Sequence, residues 1–200
     1  MGLCGMKKII FAVLFVALGI WQYDQNKVIT HPDGVLAADD PAQRYLDSAP
    51  AFEFKGYMIK PMATFSIEAR VLSREKYHLG RESELSPIDF ALGWGPMSDT
   101  AVLSKIDISQ GGRFYYWRAE RPPIPLKQIV SHSSNMHMVP SSNHVAKQLA
   151  SVRKGNVVSL KGHLININAA DGWRWRSSLV RTDTGGGACE LVWVDEVVIL

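Results

Sequence analysis

The chain has 200 residues, 46% of them hydrophobic and 20% charged, which excludes wholesale disorder and leaves enough length for one domain with a real core. A net charge of +3, scattered along the sequence, gives no electrostatic footprint for a nucleic-acid partner.

The N-terminus carries the clearest signal. Lys7 and Lys8 precede an uninterrupted apolar run from Ile9 to Trp21, which gives way to Gln22, Tyr23 and Asp24. A basic flank, an apolar stretch and a polar exit are the parts of an export signal or a signal anchor. The run is short against the roughly 17–25 residues of a spanning helix. Trp21 and Tyr23 extend it into the interface, where amphipathic rings are favoured. Ala17-Leu18-Gly19 has the spacing of a cleavage site but leaves a very short core, and Val35-Leu36-Ala37 lies too far downstream.

The expectation is therefore a cytoplasmic stretch at 1–8 and a signal anchor at 9–23, a single-pass helix in a bacterial inner membrane, with a cleaved signal as the alternative. The positive-inside rule then puts the rest of the chain in the periplasm or another extracytoplasmic space. Met6-Lys7-Lys8 also reads as a natural start, which leaves Met1 and Met6 both open. On this topology Cys4 and Cys189 sit on opposite sides of the membrane, so the exported domain has no internal disulfide and depends on its core.

Residues 24–50 read as a tether, with His31-Pro32-Asp33-Gly34 and Asp39-Asp40-Pro41 and no sustained apolar period. A short helix from Pro41 to Leu46 is expected inside it, with Asp40 as N-cap. The β domain then occupies 51–200. Ala63, Phe65, Ile67, Ala69 and Val71 alternate with polar neighbours, the period of a half-buried strand. Gly80 to Pro96 is turn-rich, and Ser98 or Asp99 caps a short helix running to about Lys105. Gly111-Gly112 breaks the pattern before an aromatic strand, Arg113 to Arg118.

After Pro122, Pro123 and Pro125, Ser142 or Asn143 caps a helix from His144 to Val152. Three strands follow, at 156–168, 173–182 and 188–200, joined by Asp171-Gly172 and by Asp183 to Gly187. The expected fold is mainly β: a small closed or partly open barrel of the oligonucleotide/oligosaccharide-binding (OB-like) kind, with one or two short helices beside the N-terminal hydrophobic one.

His132, His137 and His144 invite a metal reading, since neutral imidazole is a common zinc ligand. Their spacing matches neither HExxH nor a Cys/His finger, so no metal is expected, and no motif calls for a cofactor. Glu82, Glu84, Asp89 and Asp99 read as solvated carboxylates. Gly185-Gly186-Gly187 lacks the lysine and the following helix of a phosphate loop and reads as a hairpin turn.

Cys189 beside a histidine is the sharper chemical arrangement, because imidazole can ionise a thiol for attack on a carbonyl. The chain order is a histidine, a helix, Lys154 to Val158, and a C-terminal strand carrying the cysteine. That order resembles the sortase transpeptidases, which are also membrane-anchored β-barrels. The resemblance covers the last third of the chain and implies Cys189 as nucleophile and His137 or His132 as base, acting on an envelope peptide. The chain departs from the pattern: no threonine directly precedes Cys189, and the nearest arginine, Arg181, lies upstream. The alternative is a core cysteine, since unpaired cysteine is among the most buried residue types.

Trp173-Arg174-Trp175-Arg176 is the main binding candidate. On a strand both tryptophans face one side and both arginines the other, so inward tryptophans leave a cationic row for phosphate or carboxylate groups. Exposed aromatics such as Tyr115 and Trp117 would assist. The leading expectation is a membrane-tethered, non-enzymatic extracytoplasmic domain that binds an envelope protein or an anionic polymer, with no nucleic acid involved. The cysteine transpeptidase or hydrolase and a structural component of an envelope complex are its rivals.

Overall fold

The computed structural model describes residues 27–180, 183 and 185–200, together with Val13, Phe15, Val16 and Gly19. The expected anchor at 9–23 lies largely outside the described residues; the four named positions within it are helical. Among the described residues no helix is long and apolar enough to cross a membrane.

The architecture is mainly β, one large sheet with a few short helices. Strand β1 (Ala42–Tyr45) lies antiparallel on β3 (Tyr57–Lys76), as does β2 (Phe52–Phe54). A short helix, α1 (Arg81–Leu85), leads into β4 (Ile88–Gly93). After a 3-10 turn at Gly95–Ser98 and α2 (Thr100–Leu103), β5 (Asp107–Gly111) and β6 (Phe114–Arg118) form a separate hairpin. Helix α3 (Leu126–Ser131), strand β7 (Ser133–Pro140) and helix α4 (Asn143–Ser151) follow. Strands β8 (Val157–Asn168), β9 (Arg174–Arg176) and β10 (Glu190–Ile199) complete the large sheet.

The long strand β3 organises the rest. Its first part, Met58 to Arg70, pairs antiparallel with β8, and its second, Arg70 to Lys76, pairs antiparallel with β4. Register shifts at Pro61/Ala63 and Val71/Ser73 mark bulges, which raise local twist and bend a strand. From β4 the pairings pass to β7, then in parallel to β10, and from β10 back to β8. The alternation read in the sequence fixes the inner face: Ala63, Phe65, Ile67, Ala69 and Val71 are all buried. They meet Phe90 and Leu92 of β4, Met136 and Met138 of β7, and Val192 and Val194 of β10 in one cluster. Helix α4 supplies Val145 and Leu149 to the same core, and its Ser142 cap accepts a hydrogen bond from Val145 N.

Three local expectations are corrected. The helix placed at Pro41 to Leu46 is strand β1, whose pairing with Ser66 to Ala63 of β3 outweighs the capping signal at Asp40-Pro41. The turn-rich stretch from Gly80 to Pro96 contains β4, buried at all six positions and therefore without a visible alternation. Of the strand expected at 173–182, whose positions 181 and 182 lie outside the described residues, only β9 forms, where Arg174 to Arg176 find partners on β8.

Residues 27–50 are tied to the domain at several points besides the β1 pairing. Ile29 N donates to Lys154 O, Gly95 N donates to the carbonyl of the buried Ala37, and Trp94 Nε1 donates to Asp40.

Candidate functional site

Strand register places a set of polar side chains on the outer face of β4, β7 and β10. On β7, Met136 and Met138 enter the core, so Asn135 and His137 point the other way. Asp89 of β4 lies directly opposite His137, and Leu191 of β10 flanks it on the other side. The result is a buried contact of 2.9 Å between His137 Nδ1 and Asp89 Oδ2. The contact is close but not directed: neither atom completes a well-aligned hydrogen bond.

The hairpin β5–β6 covers this face. Its two apex residues, Gly112 and Arg113, have φ of 59° and 71°, the left-handed pair a tight hairpin needs. Arg113 is the unusual member, since a side chain at positive φ is disfavoured. Its guanidinium reaches inward, with Nη1 2.7 Å from Asp89 Oδ1 and 2.9 Å from Ser86 O. It also lies 3.8 Å from the Tyr77 ring centroid, a stacked cation–π arrangement. Trp175, from β9, closes the other side, 4.9 Å from His137 and 5.6 Å from the Arg113 guanidinium, centroid measures in both cases.

Asp89 is therefore a wholly buried carboxylate in an ion pair, a correction to its reading as a solvated one. Asp89, Arg113, Asn135 and Tyr77 belong to no motif that marks them as site residues in the sequence. The available signal was a lone acid inside the apolar run Ile88-Asp89-Phe90-Ala91-Leu92, where a charge needs a partner.

Cys189 joins this cluster at its edge. Its sulfur is 3.7 Å from Asn135 Nδ2 and 3.7 Å from Arg113 O, and among the described residues it makes no hydrogen bond with a histidine. Burial pushes the thiol up to about 11, and Glu190, Asp89 and Asp183 add to the rise, while the contact from Asn135 opposes it. At neutral pH the group is a thiol, the unreactive form. His132 is elsewhere, at the end of α3, with its ring packed against Gly95 and 4.0 Å from Asp40. Arg181 lies outside the described residues. Among the described residues no group of three His, Cys, Asp or Glu side chains is arranged to hold a metal.

Beside Cys189 a cavity of about 190 Å³ opens between the hairpin and β7. Tyr115 and Trp117 of β6 line one side, Ser134 and Asn135 of β7 another, and Asp183 and Cys189 a third. Tyr115 is fixed by a 2.7 Å hydrogen bond between its hydroxyl and Ser133 Oγ, and burial raises its phenol above the ordinary value.

On β9 the alternation holds: Trp173 and Trp175 are half-buried and Arg174 and Arg176 exposed. Both tryptophans pack against the cluster containing Ile59, Leu85, Ile165 and Ile167. Arg176 is engaged locally, donating to Ile167 O and Asn168 Oδ1, whereas Arg174 has no hydrogen-bond or ion-pair partner among the described residues.

No protein-family model matches this chain, and neither a curated protein nor a solved structure matches it significantly.

Proposed function

We propose that the chain is a membrane-tethered extracytoplasmic binding domain, non-enzymatic, with residues 9–23 as a single-pass anchor in a bacterial inner membrane. The observation that carries the binding reading is the cavity between β6 and β7, concave, aromatic on one wall and polar on its floor. Tyr115 and Trp117 would stack on the ligand, Asn135 and Ser134 would orient it, and the exposed Arg174 would meet an acidic group on the same ligand or on an adjoining partner. An envelope protein or an anionic envelope polymer fits that chemistry. The anchor rests on Lys7-Lys8 and the apolar run that follows.

We further infer that the circuit of pairings β3–β4–β7–β10–β8 and back to β3 closes as a small OB-like barrel. Support comes from the pairing of β3 with both β4 and β8, the parallel contact of β7 with β10, and the position of α4 between β7 and β8. In such barrels the face of the second and third strands and the adjoining loops bind ligands. Here that face is β4 and β7, roofed by the hairpin. The transpeptidase rival gains no support from a thiol held near 11 and set against Asn135.

The test is titration of the isotope-labelled full-length chain, in detergent micelles, with short anionic peptidoglycan fragments. Saturable shifts at the Trp117 indole and the Asn135 amide, weakened by Arg174→Ala, are expected. Absence of shifts at both positions, or binding indifferent to Arg174, rejects this assignment.

A further inference from the structure

A second cavity, of about 220 Å³, lies between β3, α2 and β5, and its chemistry differs from the first. Arg70 and Lys154 border it, and Val71, Leu72, Leu103 and Ile108 form its apolar walls. No carboxylate is among its lining residues.

Arg70 is the informative residue. It sits in β3 between the core positions Ala69 and Val71 and points outward beneath α2, yet only 7% of its surface is exposed. A guanidinium this buried ordinarily faces a carboxylate, because an unbalanced charge is costly to remove from water. Arg70 instead donates to two neutral oxygens, Ser98 O at 3.1 Å and Thr100 Oγ1 at 2.7 Å. Both bonds leave from Nη1, so among the described residues Nε and Nη2 have no protein acceptor. Neither atom is completely sealed from solvent, and Arg70 lines the cavity.

The nearest acid, Asp99, does not supply the missing acceptor. Its Oδ1 accepts from Gly34 N and Ala101 N, and it acts on Arg70 only through space. The two neutral bonds hold the guanidinium in place while its remaining donors stay free. A planar fork of that kind is suited to two carboxylate oxygens.

We propose that this cavity binds a small organic anion, a monocarboxylate with a short aliphatic tail. Arg70 receives the carboxylate, Lys154 contributes long-range attraction from the rim, and Leu72, Leu103 and Ile108 take the tail. At roughly 30 Å³ per water-sized group the cavity holds about seven heavy atoms, the size of pentanoate. The site is independent of the cavity at Cys189 and of any ligand bound there.

The experiment is calorimetric or NMR titration of the full chain with three probes: pentanoate, its neutral isostere pentanamide, and inorganic phosphate. Pentanoate is expected to bind with a dissociation constant on the order of 1 mM, at least about tenfold tighter than pentanamide or phosphate. Arg70→Gln should erase the preference for acid over amide. Leu103→Trp, at a half-buried wall position, should block every probe by filling the cavity and guards against a folding defect in the Arg70 variant. Equal affinity for acid and amide, no saturable binding, or pentanoate affinity unaltered by either substitution overturns the proposal.

Discussion

Replacing Arg113 tests whether the hairpin is clamped to the sheet by a buried charge. In the native chain the Asp89 side chain is 0% exposed and that of Arg113 18%, at 2.7 Å. Arg113→Ala leaves the carboxylate buried with His137 and the Ser86 hydroxyl, which donates to it at 3.4 Å, as its remaining close partners. Breaking a buried pair from one side costs about 3–5 kcal/mol, and the partial exposure of Arg113 together with His137 argues for about 3 kcal/mol, the lower end. Arg113 also sits at a φ of 71°. Glycine relieves a left-handed residue of about 1 kcal/mol, so Arg113→Gly should cost only about 2 kcal/mol although it removes the same side chain.

In an Asp89→Asn background the charge to be matched is gone. Arg113→Ala should then cost about 1 kcal/mol, the loss of the Ser86 hydrogen bond and the Tyr77 stack. Urea unfolding of the four members of this cycle, with the glycine variant beside them, measures each figure as a change in midpoint at constant slope. A coupling below about 0.5 kcal/mol between positions 89 and 113 would refute the clamp, as would an alanine variant no worse than the glycine one.

Two further outcomes follow from the same structure. Gly162 of β8 faces β10 so closely that an added Cβ would fall on the Trp193 carbonyl oxygen, with the Asp195 amide also in contact range. Gly162→Ala should therefore cost about 3 kcal/mol or prevent folding, and a variant of native stability in urea denies that contact. Cys189 should alkylate slowly at neutral pH in the folded chain and accelerate only as pH approaches 11, whereas the unfolded chain accelerates near the ordinary value of 9.0. The folded state holds this proton more tightly, so its contribution to stability is full below pH 9 and lost as pH rises through 11. Rapid neutral-pH labelling of the folded protein would reverse the case against the cysteine enzyme.

The parts of the fold legible in the sequence are those with a local physical cause. Alternation from Ala63 to Val71 marks β3, Ser142 marks the start of α4, and Asp171-Gly172 marks the turn before β9. Strand β4 escaped because burial at every position erases the period of two, and its single charge suggests solvent until its partner is known. Residues 42–45 carry a good helix start, and only the exposed edge of β3 decides otherwise. The same distinction applies to the site. The outward Arg174 and Arg176 follow from alternation alone. The meeting of Asp89, Arg113 and His137 depends on which strands pair and in what register, which no local pattern encodes.

Strand β10 lies between β7 and β8, joined in parallel to one and antiparallel to the other. Synthesis therefore delivers this strand after both of the strands it joins. Until residues 190–199 emerge, β7 and β8 each present an open hydrogen-bonding edge, and Met136, Met138, Leu160 and Leu164 lack Val192 and Val194 as neighbours. Such edges invite pairing with other chains. A nascent chain that stops short of β10 should thus be a target for chaperones, and deletion of residues 190–199 should lead to aggregation rather than to a smaller folded domain.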